Sequence, residues 1–349
     1  MAVYTAIDNP ELHFQTKLYT GNNSTNAITL DGSENMQPDM VWFKSRSATT
    51  DHAIFDAVRG VTKEIRPNKT DYEDTASNGL TAFGTDGFTI GDWFVINASS
   101  ATFLSWNWKA GGSGSTNNDG STASTVSANT TAGFSIVKHS GSGGATTIGH
   151  GLGVAPTIVL TKRLNSANAW IFQQNIIGGS FTSSNYLIFN TSAAVASGSG
   201  IVNNVTSSTI SFAGADDWVN ASGDTYIHYV FKSVQGFSKF GTYEGNGNAD
   251  GSFIYTGFTP ELLWIKRSND VANWVFKTKS SPGYNVNNNY IYGNLSNAEA
   301  SGSAVDFLSN GFKWRIDGAN QNSSGDTFFY AAFAKAPFVN SKGVPSNAI

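Results

Sequence analysis

From Thr102 to Lys109 the chain alternates strictly, placing Thr102, Leu104, Trp106 and Trp108 on one side of an extended strand and Phe103, Ser105, Asn107 and Lys109 on the other. The pattern returns with Thr225, Ile227, Tyr229 and Phe231 against Tyr226, His228, Val230 and Lys232, and again with Thr327, Phe329, Ala331 and Phe333. It predicts three strands whose first face is the core face, each large side chain contributing about 1.5–3 kcal/mol on burial. A second pattern is apolar on both faces, as in Met40-Val-Trp-Phe43, and predicts a central strand covered on both sides. Pro38 precedes it, at a strand start where the missing N–H costs least. Lys44 closes it and is expected to lay its stem on the sheet with the ammonium in water. Asp86-Gly87 and Asn310-Gly311 predict tight turns. No amphipathic helix is predicted; residues 60–76 tolerate one best, but Pro67 and Asn68 interrupt them.

These patterns belong to a triplication. Pro and Lys stand six positions apart in Pro38–Lys44, Pro156–Lys162 and Pro260–Lys266. Asn and Thr stand five apart in Asn97–Thr102, Asn220–Thr225 and Asn322–Thr327, and an aromatic falls six residues later at Trp108, Phe231 and Phe333. Gly21, Gly141 and Gly245 open the copies, and Phe88, Phe212 and Phe312 precede the Asn anchors. The period of 102 to 123 residues is too long for a solenoid and suits a sandwich domain. The expected fold is all-β, three tandem antiparallel β-sandwich units of jelly-roll or lectin-like type. Repeats are expected at 13–110, 133–233 and 236–337. Residues 1–12, with Val3, Tyr4 and Ile7, read as an N-terminal docking arm, and 338–349 as a C-terminal tail. Residues 111–132 are nearly all Gly, Ser, Thr, Asn and Ala and read as a linker, so the first repeat is expected to sit apart from a closely docked second and third.

Composition narrows the function classes. Charged residues are 13%, against about 25% in an average soluble domain. The net charge is −4 with no Lys/Arg run, which argues against nucleic acid as a partner. No apolar run approaches ~18 residues, so no membrane insertion is expected. There is no cysteine, hence no disulfide and no Cys-based zinc site. His13, His52, His139, His150 and His228 lack metal-ligand spacing, and His228 reads as a packed residue. Glu73-Asp74 and Asp216-Asp217 read as turn carboxylates, since sequence neighbours on a strand point apart. Gly245–Gly251 lacks the acidic positions of a calcium loop and reads as a hairpin turn. The triplets at Asn23 and Asn220 match the glycosylation pattern but are expected by chance in such a composition. No catalytic, cofactor-binding or metal site is expected. The nine Trp and twelve Tyr leave one binding chemistry, aromatic stacking on sugar rings.

The runs Pro38-Asp-Met-Val-Trp-Phe-Lys-Ser-Arg46, Phe55-Asp-Ala-Val-Arg-Gly60 and Ser105-Trp-Asn-Trp-Lys-Ala-Gly-Gly112 resemble a domain that recurs in virion proteins of marine phages, including those of cyanobacteria and pelagic bacteria. Gln235–Tyr243 and Ala336–Pro345 look like later repeats of the same family, and repeat two departs most, with Leu160 and Thr161 where repeat one has Trp42 and Phe43. The resemblance implies a non-enzymatic structural protein on the phage particle, a tail or capsid-decoration component whose partners are other virion proteins. A homotrimer is the usual fibre solution. Two further expectations stand beside it: a lectin-like protein that recognises host surface glycans, and a depolymerase, which needs a cleft of convergent carboxylates.

Overall fold

The computed structural model describes residues 5–345 apart from 184, 199–200, 284 and 319. The chain is all-β, built from antiparallel ladders, and the same strand order appears three times. In each repeat an opening strand (Phe14–Thr20, Phe134–Ser140, Ser238–Glu244) pairs with a closing strand (Thr102–Trp108, Thr225–Phe231, Thr327–Pro337). The closing strand pairs in turn with the Pro-anchored strand (Met40–Ser45, Ile158–Arg163, Phe258–Arg267). Register is conserved: the residue two after each Pro faces the aromatic six after each Thr, as Met40 with Trp108, Ile158 with Phe231 and Leu262 with Phe333. A separate three-stranded sheet completes each repeat, with Gly87–Ile90, Thr209–Phe212 and Gly311–Trp314 as its middle strands. The hairpins at Asp86-Gly87 and Asn310-Gly311 are tight, with Gly84 facing Gly87 and Leu308 facing Gly311.

Both faces of the large sheets are buried, which corrects the expectation of a single core face. Phe103, Val41 and Phe43 pack under the small sheet of their own repeat. Leu104, Trp106, Trp108, Met40 and Trp42 join a cluster that runs through all three repeats. The repeat-anchored aromatics meet there: ring centroids lie 6.4 Å apart for Trp108–Phe231, 5.5 Å for Trp108–Phe333 and 5.8 Å for Phe231–Phe333. Trp42 and Trp264 approach to 5.6 Å beside them. The three copies therefore surround a pseudo-threefold axis, and the apolar face that period two assigned to each closing strand packs between repeats.

The lysines close this ring, and they are buried, contrary to the expectation that their ammonium groups stay wet. Lys44 Nζ donates to Ser296 O at 3.2 Å, Lys162 Nζ to Thr70 O at 2.9 Å and Lys266 Nζ to Ser192 O at 3.3 Å. Three residues beyond each acceptor a backbone N–H returns to the carbonyl two positions after the Lys: Glu299 N to Arg46 O at 2.9 Å, Glu73 N to Leu164 O at 2.8 Å and Val195 N to Ser268 O at 2.7 Å. Repeat one thus grips repeat three, three grips two, and two grips one, through the same pair of hydrogen bonds each time. Burial pulls the amines down, to about 8 for Lys44 and Lys266 and about 7 for Lys162.

Two segments outside the expected repeats are also folded. Ser115–Asn117 and Ser124–Asn129, in the stretch read as a linker, are strands, and the second pairs with the opening strand of repeat two from Ser124–His139 to Asn129–Phe134. Val126 and Ala132 are buried, and so are Ser124 and Ser127, whose hydroxyls bond Gly149 O and Gly111 N at 2.8 Å. Repeat one is accordingly not set apart. The described part of the expected docking arm, residues 5–12, lies on its own chain: Ala6 N donates to Gln235 O at 3.1 Å and Ile7 enters the central cluster. Val3 and Tyr4 lie outside the described residues. Asp8 accepts from Ser341 N at 2.6 Å, so the two ends of the described chain meet at the Trp108 end of the ring.

Candidate functional site

The repeated polar anchors are structural clips. Each Asn is buried and uses both ends of its amide. Asn97 Nδ2 donates to Gly91 O at 2.6 Å and Ser24 O at 2.7 Å, while its Oδ1 accepts from Asn22 N at 3.0 Å. Asn220 makes the same bonds to Gly214 O, Gly144 O and Ser142 N, and Asn322 to Ile316 O, Asn248 O and Asn246 N. The acceptors stand at equivalent positions in every copy, six residues before the Asn and three after the opening Gly. That Gly is required by close approach: a Cβ at Gly21, Gly141 or Gly245 would lie 2.2, 2.1 or 2.1 Å from a carbonyl oxygen just after the Asn. The clips fasten the end of each opening strand to the turn that starts the closing strand, opposite the end where Asp8 meets Ser341.

The histidines are packing elements. His52 Nδ1 accepts from Trp42 Nε1 at 2.9 Å, and its Nε2 lies 2.9 Å from Tyr292 O in repeat three. Burial, reinforced by Lys44, takes its pKa down to about 3. His228 bridges Thr161 Oγ1 at 2.8 Å and His139 Nδ1 at 2.9 Å, and burial holds both rings neutral, His139 near 4 and His228 well below the usual range. His150 spans Thr206 O and Leu152 N at 3.2 Å, and His13 contacts Asn129 Nδ2 at 3.0 Å. Among the described residues no group of three or more His, Asp or Glu side chains is placed to hold a metal ion. In the Gly245–Gly251 turn, Asp250 is engaged by Lys313 at 2.8 Å and Arg315 at 2.9 Å.

The acidic pairs separate: Asp216 and Asp217 lie in a turn, and Glu73 just precedes the short strand Asp74–Thr75. Glu73 reaches Arg59 at 3.3 Å, whereas Asp74 is exposed. Asp216 caps the Trp218 N–H at 2.7 Å, and Asp217 lies 3.9 Å from Arg163. A buried ion pair missed in the sequence lies in the Phe55–Gly60 motif: Arg59 Nε meets Asp56 Oδ2 at 2.5 Å, and the same oxygen accepts from Tyr229 OH of repeat two at 2.7 Å. Burial opposes the guanidinium charge, but Asp56, Tyr229 and Glu73 outweigh it and hold Arg59 more firmly protonated than an exposed arginine. A second grouping missed in the sequence joins residues some 250 positions apart. Glu11, Asp31, Glu261 and Lys335 line a cavity of about 210 Å³ between repeats one and three. Each of these carboxylates is already engaged: Glu11 by Lys335, Asp31 by Lys17, and Glu261 Oε1 by Thr16 at 2.5 Å.

The feature left over once the repeat's own needs are met is an aromatic turn in repeat one. Trp93 is half-buried, edge-on to Phe55 at 6.1 Å, and Phe94 is 62% exposed. They border a cleft of about 370 Å³ with Thr50, Asp51, Arg66 and Lys69, closed on one side by Ser296 of repeat three. The Thr50 hydroxyl and the Arg66 Nε are buried there without a hydrogen-bond partner. Arg66 is neutralised by Glu64 at 2.6 Å and Asp71 at 3.6 Å, and Lys69 faces Asp51 at 3.8 Å. In the other exposed aromatic pair, Phe253 and Tyr255, the Lys239 ammonium covers the Tyr255 ring at 5.1 Å.

No curated protein and no solved structure matches the chain. A family model does, described as a domain of unknown function, DUF7483, and it spans residues 9–337. That span takes in all three repeats and the strands between the first two, so the matched unit is the whole ring, and the chain belongs to the DUF7483 family.

Proposed function

We propose that the chain is a non-enzymatic structural protein on the outside of a phage particle, a tail component or capsid decoration that serves assembly or host attachment. The observation that carries this reading is the closed pseudo-threefold ring, in which one chain supplies the body that fibres usually build from three. The two ends of the described residues gather at one end of the ring, and three equivalent Asn-clipped loop clusters stand at the other. Such a body can be fixed at one end while presenting a near-symmetric tip. The test is mass spectrometry and cryo-EM of purified particles of the phage that encodes the chain. The expected result is density for this ring on the particle exterior; a particle lacking the chain overturns the reading.

A second, compatible reading is recognition of host surface glycans. It is favoured by the Trp93–Phe94 cleft, where an exposed aromatic edge adjoins the part-exposed polar ends of Asp51, Arg66 and Lys69. A glycan array probed with the folded full chain tests it, and an array without signal removes it.

A further inference from the structure

The three copies offer an internal comparison. Whatever the ring needs should recur at equivalent positions, as the Asn clips, the Lys bridges and the axial aromatics do. The positions four and three residues before the Asn anchor hold Trp93 and Phe94 in repeat one, Asp216 and Asp217 in repeat two, and Gly318 and Ala319 in repeat three. The aromatic pair is therefore no part of the shared architecture. Phe94 buries little of its ring, so folding of repeat one gains little from it. Beside it the cleft presents polar groups within reach of solvent, the Asp51 carboxylate, the Arg66 guanidinium and the Lys69 ammonium, 23, 27 and 47% exposed.

We propose that this cleft is a saccharide site that takes a neutral hexopyranoside, its apolar ring face against Trp93 and Phe94 and its hydroxyls on Asp51, Arg66 and Lys69. The proposal rests on the glycan reading above and gives it an address. Neutrality follows from the charge pattern, because Arg66 and Lys69 each already face a carboxylate and leave no net charge to select an anion. The shape follows from chemistry: a pyranose has one C–H-rich face suited to an aromatic edge and a rim of hydroxyls that both donate and accept. Asp51 offers acceptors, and the part-exposed Arg66 guanidinium and Lys69 ammonium offer donors. The Asp51 carboxylate is itself held in place, Oδ1 accepting from Asn68 Nδ2 at 2.7 Å, so the polar side of the cleft is pre-set.

Seven of the nine tryptophans are fully buried, which leaves Trp93 and Trp218 within reach of solvent. In the full-length Trp218→Phe variant, acrylamide quenching then reports on Trp93. The probes are the methyl glycosides of glucose, galactose and mannose, with saturation-transfer NMR as an independent measure of binding. The expected result is that at least one glycoside binds and lowers the quenching constant by about twofold or more, since pockets cover most of a small ligand. Phe94→Ala and Asp51→Asn should each remove that protection, while circular dichroism shows the fold unchanged. Binding seen by NMR or on an oligosaccharide array, with Trp93 quenching unaltered and Phe94→Ala without effect, overturns this site and leaves the glycan reading standing. No binding by NMR and none on the array overturns both.

Discussion

Lys162 sits at the contact by which repeat two grips repeat one, and its titration is tied to that contact. Its ammonium donates to Thr70 O at 2.9 Å and Asn168 O at 2.6 Å, and burial brings its pKa down to about 7. In the unfolded chain the same amine titrates near its ordinary 10.5. Between those two values the unfolded chain holds a proton that the folded chain has released, so this group adds stability as pH rises from about 7 and stops adding above about 10.5. From pH ~7 to ~9.5 the swing worked from the two values is about 3 kcal/mol, and water reaching the amine would reduce it to about 1 kcal/mol. Lys162→Met keeps the stem and removes the titrating group, while Lys44 and Lys266 remain in both proteins and cancel. Urea unfolding of wild type and variant at pH ~7, ~8 and ~9.5 measures the difference. The wild type should gain about 1–3 kcal/mol on the variant across that range. Parallel pH profiles would show that the amine is solvated in the folded protein and refute the buried-bridge assignment.

Asn97→Ala, Asn220→Ala and Asn322→Ala should each cost about 1–3 kcal/mol in chemical unfolding, because each strands the same backbone groups; one silent member of the three would break the claimed equivalence of the clips. Asp56→Asn should lower stability by about 3–5 kcal/mol by leaving the buried Arg59 charge without its partner, and Tyr229→Phe by about 1 kcal/mol, both read from thermal unfolding. Light scattering behind size exclusion should give the mass of one chain, 37.1 kDa, because the faces that would make a trimer of single repeats are already buried within the chain. A particle of three chains would contradict that.

How far the fold could be read depended on what each residue does. Strands, tight turns and the triplication were legible because period two and the fixed anchor spacings are local, and Pro38, Trp108 and Asn97 fall where those rules place them. The ring was not legible, since its contacts join positions far apart: Lys44 to Ser296, Lys162 to Thr70, Trp108 to Phe333. A lysine at a strand end looks alike whether its ammonium meets water or a neighbour's carbonyl. The signal that was available is its recurrence in all three copies beside an apolar face on both sides of the strand, a setting that leaves the stem little access to solvent. Residues 111–132 read as a linker because serines and threonines dominate them. Their small side chains can nonetheless be buried when the hydroxyls bond a backbone, as Ser124 and Ser127 do. The aromatic turn at Trp93–Phe94 was hidden among residues that the repeat puts in the core. Only the exposure of Phe94, set against its counterparts in the other copies, marks it.

The central claim is that repeat one closes the ring on repeat three. The absence of cysteine allows a direct test, because an introduced pair has no native thiol to compete with it. Glu299 N donates to Arg46 O at 2.9 Å, which sets the two residues side by side across that junction. In Arg46→Cys/Glu299→Cys, mild oxidation should form one intrachain disulfide in nearly all molecules, seen as the loss of two hydrogens in the intact mass and as a single cross-linked peptide. Free thiols, or disulfides between chains only, would mean that repeat one does not meet repeat three and that the ring is open.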